Sequence, residues 1–171
     1  DPFCLFHYKW VRELSKNDIV SMKNHFTNIL SSQSYTIWCG FVFEIVMMIN
    51  IDLYVQKRGL SALYKNVTYW QYIANPNIED DKGAQIDMVI EYENNIYDIV
   101  ECKYYNDEFT ITKEYADNLR HKVSKFKEYG IKQKMRYDLK LVMLTTYESK
   151  KNSHFNALNI ASDITLGDLI D

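Results

Sequence analysis

The feature that most constrains the fold is a pair of β-like segments joined by a short polar connection. The first segment, residues 83–90, reads Gly-Ala-Gln-Ile-Asp-Met-Val-Ile, and the second, residues 97–103, reads Tyr-Asp-Ile-Val-Glu-Cys-Lys. Successive side chains of a strand point to opposite faces of the sheet. The sequence therefore predicts that Glu101 and Lys103 share one face, while Cys102 points away from it.

The register of this hairpin follows from its apolar residues. An antiparallel register that sets Asp87 opposite Glu101 makes the neighbouring pairs apolar. Those pairs are Ile86 with Cys102, Met88 with Val100, and Val89 with Ile99. A slip of one residue would place apolar side chains beside Glu101 and Lys103, which a half-buried sheet disfavours. The preferred register needs an odd-length connection, most simply residues 93–95, with Asn95 in the left-handed position of the loop.

The same register gathers Asp87, Glu101 and Lys103, and these charges are costly to place on a sheet without a partner. A divalent metal ion with an activated water would explain all three groups. The alternative is a surface strand with a structural Glu–Lys pair, because short Glu-x-Lys runs are common by chance.

A fourth charged candidate is Glu44, within a predicted helix that runs from about Ile37 to Lys57 and is apolar on nearly every side. Such a helix is typically buried, and Glu44 is the only acidic residue between Asp18 and Asp52. A buried carboxylate needs a cation, a metal or a proton. The alternatives are a pair with Arg or Lys, or a position on a solvent-facing strip of the helix.

Composition limits the classes of function. The 171 residues are 47% hydrophobic, enough for one domain with a true core. The net charge of −3 argues against a generally basic nucleic-acid-binding protein. Residues 113–140 nevertheless carry nine basic and four acidic side chains, a local excess of +5 that suits phosphate contact or an ordinary solvated face.

Compartment and chain organisation follow from other features. Three cysteines without a C-x-x-C pattern fit a reducing cytosol. The sequence has no run of about 18 apolar residues, so a cytoplasmic location without membrane contact is expected. Because the chain begins at Asp1 rather than Met, we expect it to be an excised fragment of a longer protein.

Periodicity and capping residues predict the remaining elements. Helices are expected over residues 3–14 and 18–31, and over 113–129 with Thr112 as its cap and Gly130 as its end. Strands are expected over 66–74 and 138–146, a short strand near 158–160, and a helical turn near 166–170.

Taken together, these elements and charged positions resemble the PD-(D/E)XK nuclease superfamily. The resemblance covers residues 36–147, with Ile86 where the family's proline would stand. More closely, three segments resemble the C-terminal domain of a family of prokaryotic AAA-type ATPases. They are residues 40–44 (Gly-Phe-Val-Phe-Glu), residues 83–87 (Gly-Ala-Gln-Ile-Asp) and residues 109–113 (Phe-Thr-Ile-Thr-Lys). Residues 1–3 resemble the bridge into that domain, and no phosphate-binding loop occurs.

The resemblance implies an α/β fold with a restriction-endonuclease-like αβββαβ core, a central mixed sheet flanked by helices, and additional N-terminal helices. Residues 1–34 would then form a helical segment bridging to an upstream ATPase domain absent from this sequence, and residues 35–171 the nuclease-like domain. Mg²⁺ or Mn²⁺ would be the cofactor, and DNA the expected partner. The oligomeric state is not fixed, and a dimer is left open.

The resemblance also assigns roles to single residues. Asp87 and Glu101 would bind the metal, with Glu44 and the Cys102 carbonyl completing its ligands, and Lys103 would orient or deprotonate the attacking water. Further residues are candidates for the substrate groove: Gln85, Tyr104, Tyr105, Arg120 and Lys122. Two functions remain: a metal-dependent DNA nuclease domain, or a catalytically silent nucleic-acid-binding or regulatory module of the ATPase.

Overall fold

The computed structural model describes residues 1–17 and 25–170. These residues divide into two compact units, 1–49 and 50–171. The boundary predicted between residues 34 and 35 marks where the nuclease-like domain of the sequence resemblance would begin. The division into compact units does not test that boundary, which stays a prediction.

The first unit is helical. Its elements are α1 (Pro2–Phe6), a π-helical segment (His7–Val11), α2 (His25–Leu30) and α3 (Gln33–Ile49). The Asp1 carboxylate caps α1 by accepting a hydrogen bond from the Phe3 amide at 2.7 Å. The expected helix over 3–14 is helical over residues 2–11, where the α-helix continues directly into a π-helical segment, and it ends earlier than predicted. Residues 18–24 of the expected second helix lie outside the described residues.

Helix α3 buries only one stripe of its surface. Cys39, Phe43 and Met47 are buried at a spacing of four residues, whereas Ile37 and Phe41 are more than half exposed. The expectation of a helix buried on every side is wrong. The expectation of one continuous helix to Lys57 is also wrong, because α3 ends at Ile49 and a separate helix begins at Ile51.

The second unit is a mixed five-stranded sheet flanked by helices. Its helices are α4 (Ile51–Lys57), α5 (Lys113–Lys132), α6 (Ser153–Asn156) and α7 (Gly167–Ile170). Its strands are β1 (Tyr64–Tyr72), β2 (Ala84–Tyr92), β3 (Ile96–Lys103), β4 (Asp138–Thr145) and β5 (Ser162–Thr165). The strands lie in the order β1-β2-β3-β4-β5. Neighbouring pairs are antiparallel from β1 to β3 and parallel from β3 to β5.

The predicted hairpin register is confirmed where the β2–β3 ladder forms. Met88 pairs with Val100 and Val89 with Ile99. The connection is the three-residue segment Glu93–Asn95, with φ of 62° at Asn94 and 59° at Asn95. Asparagine tolerates this left-handed conformation better than most residues, so the loop chemistry and the apolar pairing agree.

The two faces of the sheet pack against different helices. Helix α5 covers the face of Ile99 and Met143, where Leu119 and Phe126 join the apolar core. The Thr112 side chain accepts from the Tyr115 amide at 3.2 Å, which confirms the predicted cap of this helix. Gly130 does not end α5, which continues to Lys132, so that part of the prediction is wrong.

Helix α4 is fixed to the opposite face through Asp98, which is fully buried. Arg58 donates to both Asp98 carboxylate oxygens, at 2.8 and 3.0 Å. The Tyr54 and Tyr92 hydroxyls donate to Oδ2 at 2.8 and 3.0 Å. Fully hydrogen-bonded burial of this kind offsets the cost of removing a carboxylate from water.

The predicted helical turn near 166–170 is confirmed by α7, whereas the last strand differs in position from the prediction. The last strand is Ser162–Thr165, after the expected 158–160, and it pairs in parallel with β4. In the described parts of the chain, no single helix is long and apolar enough to span a membrane. Within the described ranges, α3 and α4 taken together pass that test of length and composition.

Candidate functional site

The carboxylate of Glu101, near the end of β3, is the centre of a charged cluster. Glu101 is 2% exposed. Its Oε1 accepts from the Tyr115 hydroxyl at 2.6 Å and lies 2.9 Å from Lys103 Nζ. Its Oε2 accepts from Lys122 Nζ at 2.6 Å. The strand supplies Glu101 and Lys103 from one face, as predicted, and α5 supplies Tyr115 and Lys122.

Asp87 joins this cluster from an irregular part of β2. From Thr68 to Trp70 strand β1 advances two residues, while its partners Val89 and Ile86 are three residues apart on β2. One extra residue therefore makes a β-bulge around Asp87, a feature that often occurs next to active sites.

Asp87 meets β3 outside the regular β2–β3 ladder. The β2–β3 ladder ends at Met88 and Val100, so the predicted pairing of Asp87 with Glu101 and of Ile86 with Cys102 lies beyond the regular ladder. Instead, the Asp87 Oδ2 atom accepts from the Cys102 amide at 2.8 Å. Among the described residues this is the only hydrogen bond of the Asp87 side chain, which leaves Oδ1 available to another ligand.

The two carboxylates experience opposite electrostatic environments. Burial, together with the nearby Glu101 charge, raises the pKa of Asp87 above its ordinary value. Burial also acts to raise the pKa of Glu101, but Lys103, Lys122 and the Tyr115 hydroxyl outweigh it and hold that pKa below its ordinary value. Glu101 is therefore the firmly ionised member, and Asp87 is the member in need of a positive partner.

The cluster opens to solvent through a cleft of about 440 Å³. The cleft is lined by polar residues of β3 and of the first half of α5: Glu101, Lys103, Thr112, Glu114, Tyr115, Asn118 and Lys122. Both ammonium groups that contact Glu101 thus line a space large enough for a phosphate group and its hydration.

A chain of aromatic rings connects the cleft to an exposed side chain. The Tyr115 and Phe109 rings are 5.4 Å apart, and the Phe109 and Tyr105 rings 5.8 Å apart, both edge to face. Tyr105 is 53% exposed. Such an exposed ring can stack on a base beside the cleft. Tyr104 is partly buried, and its predicted role in the groove stays a prediction.

Three of the predicted site residues have no described contact with the cluster. Two of them, Gln85 and Arg120, lie in the second unit, and Glu44 lies in the first. Gln85 is exposed and lies opposite Gln71 in the β1–β2 ladder. Arg120 pairs with Asp117 at 2.7 Å and borders a different cavity, under α5. Glu44 lies on α3, half-buried, and its role as a further metal ligand stays a prediction.

Tyr115 is the site residue that the sequence interpretation missed, since its place in the apolar stripe of α5 indicated a core position. Its ring does pack beside the core formed by Leu119 and Met143. Its hydroxyl, however, reaches Glu101, and burial beside that carboxylate raises the pKa of Tyr115 well above its ordinary value. The seven-residue spacing between Tyr115 and Lys122, two helical turns, was the available signal that both lie on one face.

The donor set suits Mg²⁺ better than a softer metal. Among the described residues, no group of three or more His, Cys, Asp and Glu side chains is arranged to hold a metal ion. Mg²⁺ commonly binds through one or two carboxylates and keeps several waters. Asp87 Oδ1 and Glu101 fit this requirement, provided that an ammonium group leaves Glu101. The Cys102 carbonyl stays a predicted additional ligand.

Comparison with models of protein families, with curated proteins and with solved structures gives no match.

Proposed function

We propose that the second unit is a metal-dependent phosphodiesterase domain that hydrolyses DNA, built on a restriction-endonuclease-like core. The observation that carries the proposal is the convergence of Asp87, Glu101 and Lys103 beside an open cleft that Glu101 and Lys103 line. The strand order, with three antiparallel strands followed by a helix and a parallel strand, is consistent with the core that the sequence resemblance implies.

Asp87 and Glu101 would hold Mg²⁺ or Mn²⁺. When bound, such an ion neutralises charge on the phosphate and lowers the pKa of a coordinated water. Tyr115 fixes the Glu101 carboxylate through its hydroxyl. Lys103 is 31% exposed and held beside Glu101, so its ammonium group can orient a water at the cleft and stabilise negative charge that develops there.

The link to an AAA-type ATPase is part of the same proposal and rests on the sequence resemblance alone. In that arrangement the ATPase would act as a motor or switch for a nuclease module. Glu44, in the helical unit, is proposed as a further acidic ligand of the metal.

One observation favours a catalytically silent module. Both oxygens of Glu101 are already bound by Lys103, Lys122 and Tyr115. This network satisfies the buried carboxylate without a metal, so the same residues could serve as a structural ion cluster in a nucleic-acid-binding or regulatory domain.

The discriminating experiment incubates the protein with supercoiled and linear DNA in Mg²⁺ or Mn²⁺. The wild type is expected to cleave, and Asp87→Asn and Lys103→Met are expected to lose about 10²-fold or more of the rate. Glu44→Gln is included to test the helical unit. Lys65→Met is the matched control, because Lys65 forms a comparable pair with Glu91 at 2.7 Å on β1 and β2.

Equal cleavage by the wild type, Asp87→Asn and Lys103→Met would assign the activity to a contaminant and contradict the proposal. DNA binding without cleavage by any variant would favour the silent module.

A further inference from the structure

The charge balance of the cluster has a direct consequence for metal binding. Asp87 and Glu101 contribute two negative charges, and Lys103 and Lys122 contribute two positive charges. The four groups are therefore formally neutral without any ion. Addition of a divalent cation would leave two uncompensated positive charges beside a carboxylate that is 2% exposed, and such an excess is costly where water is scarce.

A metal ion also meets a steric obstacle at Glu101. Lys122 Nζ lies 2.6 Å from Oε2, while Oε1 is shared between Tyr115 and Lys103. Among the described contacts, each oxygen of Glu101 already has at least one donor, so an ion that binds there would lie beside an ammonium group unless that group leaves. Tyr115 is packed in the core, and Lys103 is the ammonium group already proposed to orient the attacking water, so Lys122 is the donor that we assign to leave.

Lys122 reaches the cluster from α5, whereas Glu101 and Lys103 belong to β3. The side chain is 15% exposed and lines the same open cleft as Lys103. A lysine ammonium on its flexible stem can exchange one anionic partner for another with little change in the backbone. A phosphate entering this cleft would offer such a partner.

We propose that Lys122 is a second phosphate-binding cation of this site and the exchangeable counterion of Glu101. The phosphate of a DNA strand draws Lys122 away from Glu101 Oε2, and this transfer opens Glu101 to the divalent ion. Metal and DNA consequently bind with positive coupling, and each raises the affinity for the other by the same factor. This inference rests on the proposed function and identifies the residue that links its two ligands.

The test measures both ligands with the full chain. Mn²⁺ affinity without DNA is measured from the electron paramagnetic resonance signal of free Mn²⁺. Affinity for a fluorescent, nuclease-resistant phosphorothioate duplex is measured by anisotropy, with and without Mn²⁺. The wild type is expected to bind Mn²⁺ weakly alone, and Mn²⁺ is expected to tighten duplex binding about tenfold or more.

Lys122→Met separates two roles of Lys122. If Lys122 only supports the structure of the site, its loss should weaken Mn²⁺ binding, whereas if it is the counterion of Glu101, its loss should strengthen Mn²⁺ binding. Without DNA, this variant is expected to bind Mn²⁺ about tenfold or more tightly than the wild type. Its gain in duplex affinity from Mn²⁺ is expected to fall to a few-fold at most. Lys65→Met, the control outside the cleft, is expected to behave like the wild type, and Lys122→Arg, which retains the positive charge, is expected not to gain Mn²⁺ affinity.

Equal or weaker Mn²⁺ binding by Lys122→Met than by the wild type overturns the inference. If that variant behaves so while the wild type still cleaves DNA, the proposed function stands and only the role of Lys122 fails. Absence of Mn²⁺ binding in every variant, with and without the duplex, overturns the inference and the metal-dependent activity together.

Discussion

Asp87 and Glu101 provide a pair of substitutions with opposite expected effects on stability. Asp87→Asn removes a charge that burial and Glu101 disfavour, while its amide oxygen can still accept from the Cys102 amide. Glu101→Gln removes the shared partner of Lys103, Lys122 and Tyr115. In a chelating buffer, the first variant should therefore melt above the wild type and the second below it.

The magnitudes follow from burial. Relief of an unfavourable charge at a functional site is typically worth about 0.5–2 kcal/mol, so Asp87→Asn should raise Tm by about 1–8 °C. Hydrogen bonds to a charged group are worth about 1.5–3 kcal/mol each, but Lys103 and Lys122 are 31% and 15% exposed and can turn toward water. A net loss of about 2–3 kcal/mol, or about 4–12 °C, is expected for Glu101→Gln.

The pH dependence gives a second signature. The pKa of Asp87 is raised in the folded protein, so its unfavourable contribution is present above that pKa and vanishes as pH falls below the ordinary value of 3.8. The pKa of Glu101 is lowered, so its stabilising contribution is present above the ordinary value of 4.5 and is lost as pH falls through the folded pKa. The melting curves of both variants should therefore approach that of the wild type in acid.

Thermal unfolding followed by circular dichroism, from pH 3 to pH 7, measures both effects. A lower Tm for Asp87→Asn at pH 7, or shifts of the same sign in both variants, would refute the electrostatic description of the site. DNA cleavage should be lost in both variants, so stability and activity separate for Asp87→Asn.

Two further predictions concern the framework of the sheet. Asp98→Ala leaves Arg58 without its buried partner and should destabilise the second unit by about 3–5 kcal/mol. Tyr92→Phe removes one neutral hydrogen-bond donor and should cost about 1 kcal/mol. Both free energies are measured by urea unfolding, and equal losses in the two variants would contradict this order. Gly130→Ala should destabilise the protein by about 1–3 kcal/mol, because the added Cβ would lie 2.5 Å from the Tyr137 ring. This loss should exceed the gain from the better helix propensity of alanine. An increase in Tm would contradict the prediction and show that the Tyr137 ring moves aside freely.

The parts of the fold that the sequence predicted are those that local chemistry decides. Apolar residues on facing strands set the register at Met88 and Val89, and the hydroxyl of Thr112 begins α5. These features depend on residues close together in sequence, or on a repeated pattern that only one register satisfies.

The parts that sequence did not predict depend on distant contacts. Gly130 would ordinarily end a helix, but here it lies within α5 because the Tyr137 ring occupies the space of a side chain. The last strand, Ser-Asp-Ile-Thr, buries Ile164 alone and is defined by its pairing with β4. The bulge at Asp87 arises from unequal spacing on two paired strands, which neither strand reveals by itself.

Strand β3 carries two buried carboxylates, three residues apart and therefore on opposite faces, and their partners differ in kind. Asp98 is bound by Arg58 and two tyrosines, whose planar groups are rigidly placed and have no reason to exchange. Glu101 is bound by two lysines that line an open cleft. Because lysine can transfer its charge to another anion while arginine here is fixed in a fork, the face of Glu101 is suited to chemistry and the face of Asp98 to support.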